Sequence, residues 1–221
     1  TSVGPNPQVV TMFMAERGLT VPAEQIDIMK GDNRQPDYLK TNPHGQSPAL
    51  VLDDGTLITE ITAICEYLDE TQPGDSLIGS TPEMRAQTRR WTRWADLNVA
   101  DPLTVAFRGS EGLPMFKDRV VCVPEGAPGL KAYVQDRLSW LNEHWDGRTW
   151  LAGDNFSLAD ILLFCFLAFG GQVGQPLNRD AIERSITMLR GQTRERPADV
   201  LTMNIVSNRG RTIRPKTLGQ K

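Results

Sequence analysis

At 221 residues, with 39% hydrophobic and 23% charged side chains, the chain can bury a sizeable core, and its composition argues against global disorder. A net charge of −3 gives no drive towards nucleic acid or an acidic membrane surface. The three cysteines, Cys65, Cys122 and Cys165, are far apart and show neither CxxC nor metal-ligand spacing. An odd, unframed count fits a reducing compartment, so a cytoplasmic location is expected. With two histidines, His44 and His144, no metal centre is expected. The longest apolar run, Ile161 to Phe169, is about half of a membrane span, and no basic-apolar-small signal opens the chain, so no membrane partner is expected.

In chain order, GPNPQVVTMFMAERG predicts a first helix. Pro5 suits its first turn, Val9, Val10, Phe13 and Met14 form an apolar face, and Gly18 caps it. EQIDIM, 24 to 29, alternates loosely and predicts a short strand. A polar stretch and a short helix end near Asn42-Pro43. PALVL, Asp53-Asp54-Gly55 and TLI then predict a hairpin, because Asp-Gly between apolar runs is the strongest short hairpin signal. Ile61, Ile64, Cys65 and Leu68, spaced i, i+3, i+4, i+7, predict a helix laid on that sheet.

QPGDSLIGSTP, 72 to 82, has little periodicity and predicts a linker. All that follows predicts helix. Glu83 to about Arg108 carries Trp91, Trp94 and Phe107, with Pro102 bending or interrupting it. A Pro- and Gly-rich loop, roughly 109 to 129, leads to a helix with Leu130, Val134, Leu138, Leu141 and Trp145 on one face. In FSLADILLFCFLAFGG, Ser157 and Asp160 form an N-cap pair before a helix apolar on all sides, expected at the centre of the helical half.

The proline of GQSPALV is out of place in a buried strand, since it gives a ladder no donor. By itself Pro48 reads as the start of an edge strand. In company it reads otherwise. The stretches NPHGQSPAL, DDGTLITEITAICEYL and WLAGDNFSLADI, with the helix PQVVTMFMAERGL, resemble the cytosolic glutathione transferase superfamily, in that family's order and spacing, over most of residues 5 to 170. The resemblance is to bacterial-type members without a catalytic Tyr or Cys.

The resemblance implies a thioredoxin-like α/β domain that holds glutathione, followed by an all-helical domain that shapes a pocket for a hydrophobic electrophile. It also implies a homodimer and a role in detoxification, with glutathione as co-substrate and no other cofactor. The expected division is 1–72, a linker at 73–82, a helical domain at 83–198 and a basic tail at 199–221, read as disordered. The bond before Pro48 is expected to be cis, turning the backbone of Ser47 towards the cysteinyl part of glutathione. Gln46 stands where the family contacts the glycyl end, or is an ordinary polar loop residue. Glu60 matches the acidic residue at the γ-glutamyl end, where the N–H groups of Ile61 and Thr62 can meet a carboxylate at a helix N-terminus. Ile61 departs from the pattern, because the family has a serine there. Losing that hydrogen bond to a charged group costs roughly 1.5–3 kcal/mol, so weak glutathione binding is expected.

The chemistry implied is attack by the glutathione sulfur. A free thiol has pKa ~8.5, and lowering it by ~2 takes roughly 2.7 kcal/mol of preference for the anion. A donor near the start of the first helix supplies such a preference. In TSVGPNPQ the candidates are Ser2, then Asn6, then Thr1, each also readable as a turn or cap residue. The absent cysteine argues against thiol reductase chemistry. Trp94 and the Phe107–Phe116 segment are candidates for the electrophile pocket, or core. His44, Asp96 and Asp101 read as solvated. No strand precedes the first helix in this numbering, which implies either residues upstream of it or a domain lacking that strand. Beyond about Asn178 the resemblance fades into a basic tail. The alternative to an enzyme is the same fold kept as a binding or regulatory module without chemistry.

Overall fold

The computed structural model describes residues 4–177; Thr1, Ser2 and everything after residue 177, the basic tail included, lie outside them. Helix α1 (Pro5–Glu16) begins on a proline whose missing N–H would be unpaired in a first turn anyway, and buries Val9, Val10, Met12 and Phe13. Gly18 ends it at φ 65: its N–H reaches Ala15 C=O (3.0 Å), and Leu19 N–H reaches Met14 C=O (2.8 Å).

EQIDIM does not form the expected strand. A strand exists only by pairing, and among the described residues the one sheet is the two-stranded β1–β2 hairpin. Local side-chain bonds win instead. Asp27 Oδ1 accepts from Met29 N–H (2.9 Å) and Lys30 N–H (3.2 Å), and Asp32 Oδ2 accepts from Asp27 N–H (2.9 Å), closing a turn. A 3-10 turn (Asp32–Arg34) and the short helix α2 (Pro36–Thr41) follow.

Strands β1 (Leu50–Val51) and β2 (Leu57–Ile58) are antiparallel, with Leu50 opposite Ile58 and Val51 opposite Leu57. The connection is closed by Leu52 N–H to Thr56 C=O (2.9 Å) and Thr56 N–H to Asp54 Oδ1 (2.8 Å), with Gly55 at φ 85 supplying the left-handed residue such a loop requires. Helix α3 (Ile61–Thr71) buries Ile64, Cys65 and Leu68.

The stretch between α3 and α4 is pinned in place. Asp69 accepts from Ser76 Oγ (2.5 Å) and Leu77 N–H (3.0 Å). Arg17 Nε lies 3.2 Å from Asp69 Oδ1, in ion-pair range though not aligned for a hydrogen bond, with both side chains almost wholly buried. The same guanidinium donates to the carbonyls of Asp69, Gln72 and Asp75. Gly79, at φ 124, leaves no room for a side chain: a Cβ there would sit 2.6 Å from Met84 Cβ.

Helix α4 (Pro82–Ala95) is capped by Thr81, whose Oγ1 accepts from Met84 N–H (3.2 Å). The expected interruption at Pro102 takes the form of a π segment (Asp96–Ala100) just before α5 (Asp101–Gly109), in which Asp101 N–H reaches back to Asp96 C=O. Proline cannot bond to the carbonyl four residues earlier and crowds it, so widening the preceding turn absorbs the misfit without breaking the rod. The 109–129 loop contains α6 (Leu113–Phe116) and a 3-10 turn (Pro124–Gly126) before α7 (Ala127–Glu143), which buries Val134, Leu138 and Leu141.

Helix α8 (Leu158–Gln172) is apolar on all sides and buried from Leu158 to Leu167, as its composition predicts. α1 and α4 pack against it, α1 also packs on α3, and α5 packs on α7. Its start carries the expected cap pair: the Asp160 carboxylate accepts from Leu151 N–H (2.8 Å), Ser157 N–H (3.0 Å) and Ser157 Oγ (3.0 Å). Burial, opposed by those bonds, pushes the Asp160 carboxyl up to about 6.

Candidate functional site

The loop before β1 is fixed from inside. Asn42, fully buried, donates from Nδ2 to Gln46 C=O (2.8 Å), and its Oδ1 accepts from His44 N–H (3.2 Å). Tyr38 Oη donates to the same Gln46 carbonyl (2.5 Å), and Asn33 Nδ2 donates to Gly45 C=O (2.6 Å). Gly45, at φ 61, is buried so closely that a Cβ would lie 3.0 Å from Asn33 C=O. The Ser47–Pro48 bond that follows is cis. Among the described residues no hydrogen bond engages the N–H or C=O of Ser47. Gln46 is thus pinned while the backbone of Ser47 stays open.

The hairpin supplies the other wall. Pro48 stands two residues before Leu50 and Glu60 two residues after its partner Ile58, so the cis-proline loop and the N-terminus of α3 both leave the same open end of the hairpin. Glu60 is exposed and holds φ 65, a conformation side chains seldom adopt, as N-cap of α3. Ile61 and Thr62 are half-buried in the first turn, where backbone N–H groups lack partners within a helix. Gln46, Ser47 and Pro48 thus enter β1, and Glu60 and Ile61 leave β2, at the same end of the hairpin. This arrangement suits an extended peptide-like ligand with a negative end at the α3 N-terminus.

The candidate thiol-activating groups fare differently. Asn6 sits half-buried in the first turn of α1. Ser2 and Thr1 lie outside the described residues. His44 is exposed, as expected. Cys65 and Cys165 are buried, and desolvation pushes both thiols far above the usual range, so neither supplies a thiolate.

The aromatic candidates pair with one another. Trp94 stacks on Trp140 (5.6 Å between centroids) and meets Trp91 edge-on (5.7 Å); Phe107 meets Phe116 (5.9 Å) and Phe169 (5.0 Å) edge-on. These are packing geometries, although Trp94, Phe107 and Phe116 stay only half-buried. Asp96 pairs with Arg93 (2.9 Å) and Asp101 is exposed.

Sequence reasoning missed the supports of the loop, Asn33, Tyr38 and Asn42. The one signal was Asn-Pro-x-Gly after a short helix, which marks a tight loop but not whose carbonyl each side chain holds.

Family descriptions match in both halves: "Glutathione S-transferase, N-terminal domain" over residues 3–71 and "Glutathione S-transferase, C-terminal domain" over 131–183. The chain is 33% identical to Glutathione S-transferase 2 of Saccharomyces cerevisiae over 179 residues, 78% of this chain and 75% of that one. It is 36% identical to elongation factor 1-gamma of Danio rerio over 135 residues, 61% of this chain and 28% of that protein. The solved structure of Gtt2 from Saccharomyces cerevisiae superposes with a TM-score of 0.78 at 29% identity, covering 90% of this chain and 96% of that one. A hairpin ending in a cis-proline loop, an α/β half followed by helices around one apolar rod, and matches in both halves lead to one assignment: the chain belongs to the glutathione S-transferase family.

Proposed function

We propose that the chain is a glutathione S-transferase, which joins the sulfur of glutathione to a hydrophobic electrophile in detoxification, working in the cytoplasm as a homodimer. The observation that carries this reading is the open backbone of Ser47 at the same hairpin end as the α3 N-terminus. The cysteinyl backbone of glutathione pairs with Ser47 in strand fashion, Gln46 meets the glycyl end, and the γ-glutamyl end meets Glu60, with its carboxylate at the N–H groups of Ile61 and Thr62 in the first turn of α3. The reaction takes the thiol proton away, then forms a carbon–sulfur bond as the electrophile's leaving group departs. Ser2 is the first choice for the donor that holds the thiolate. Asn6, in the first turn of α1, is the second, favoured by the positive helix end. The electrophile lies against the half-buried faces of Trp94, Phe107 and Phe116.

A second reading, a binding module of this fold without chemistry, is favoured by Ile61 in place of the family's serine and by the likeness to elongation factor 1-gamma. The test is conjugation of glutathione to a chlorinated dinitrobenzene, followed by absorbance. Turnover that falls in Ser2→Ala or Asn6→Ala supports the enzyme. Retention on immobilised glutathione without turnover supports the module, and neither retention nor turnover rejects both.

A further inference from the structure

The loop after α6 reaches the α/β half through the side chain of Arg119. Arg119 donates from Nη1 to Ile28 C=O (2.9 Å), and its Nη2 reaches Met29 C=O at 3.4 Å. Those carbonyls belong to the turn closed by Asp27 and Asp32, in which Asp32 N–H also returns to Asp27 C=O (3.1 Å). Arg119 is thus a tether on this turn from the helical half. Asp32 opens the 3-10 turn that carries Asn33, and Asn33 grips Gly45 by its carbonyl. Gly45 sits so close to this turn that an added Cβ would lie 3.0 Å from Asn33 C=O. Two residues further on stands Ser47.

We propose that Arg119 is a positioning residue: it holds the turn at 27–34 against the helical half and, through Asn33 and Gly45, sets the loop that presents Ser47. The inference deepens the glutathione reading and rests on it for its functional consequence. A contact made by the helical half thereby tunes affinity for a ligand held by the α/β half, with no contact between Arg119 and that ligand.

The test uses the full chain as wild type, Arg119→Ala, Arg119→Lys, Asn33→Ala and the Arg119→Ala/Asn33→Ala double variant. Losing an exposed, charge-assisted bond makes exchange at the Asp32 and Gly45 amides about 3- to 10-fold faster in Arg119→Ala, with α8 amides unchanged as the control for global stability. The glutathione KM rises by a similar factor while kcat at saturating glutathione and the electrophile KM hold. Arg119→Lys, able to reach one carbonyl, falls between. The double variant is no worse than Asn33→Ala, because both act on one path. Unchanged exchange at Gly45, or additive effects in the double variant, overturns the proposal. Wild-type protein that binds no glutathione overturns the functional reading instead, and exchange at Gly45 still decides whether the link exists.

Discussion

Asp160 gives the strongest test of how the helical half is held together. Its carboxylate accepts from two backbone N–H groups, of Leu151 and Ser157, and from the Ser157 hydroxyl, in a place where both residues are buried. In Asp160→Ala two buried N–H groups lose their acceptor, at ~1–3 kcal/mol each. Against this, the variant no longer buries a charge. The folded-state value of about 6 lies above the ordinary 3.8, so the native protein binds this proton more tightly than the unfolded chain does. The stabilisation from that proton is full below 3.8 and is lost as pH rises through about 6. Between pH 7.5 and 4.5 wild type therefore gains ~2 kcal/mol that the variant cannot. The assay is urea unfolding followed by tryptophan fluorescence at both pH values, comparing the two proteins so that all other titrating groups cancel. The gap between them should widen by ~2 kcal/mol at the lower pH. A gap that stays constant, or narrows, refutes the account of a buried acid held by these three bonds.

Ile61→Ser restores a hydroxyl at the first turn of α3 and should tighten glutathione binding about tenfold, the low end of a hydrogen bond to a charged group; calorimetry showing the same Kd rejects that role. Asp69→Asn leaves Arg17 buried without its counter-charge and should lower stability by ~3–5 kcal/mol in denaturant unfolding, whereas a loss below ~1 would mean the carbonyls alone satisfy the guanidinium. Gly79→Ala drives a Cβ against Met84 and the Arg85 N–H at a φ that side chains avoid; a cost of ~1–3 kcal/mol is expected, and a neutral thermal shift would show that the linker relaxes.

What the sequence made legible was local. Periodicity placed α1, α3 and α8, Asp54-Gly55 placed the hairpin, and Ser157 with Asp160 placed the start of α8, because each depends on neighbours a few residues away. EQIDIM misled, since alternation says nothing of the Asp27 and Asp32 side-chain bonds that close a turn there instead. That Arg17 and Asp69, 52 residues apart, meet and hold the QPGDSLIGSTP stretch is announced by no spacing rule. The site divides in the same way. Motif order pointed to Ser47, Pro48 and Glu60 as candidates, while Asn33 and Asn42, which hold the loop from beneath, act on carbonyls that carry no residue identity at all.

α8 serves both halves, so among the described residues no seam divides them. α1 leans on α8 directly, and the first N–H of α8, at Leu158, is satisfied by the Leu77 carbonyl of the connecting stretch (3.0 Å). A chimera that swaps the first 72 residues with those of a relative must therefore match the inherited α8 surface, or it will expose the apolar flank of α1 and fail as a graft whatever the quality of its ligand loop.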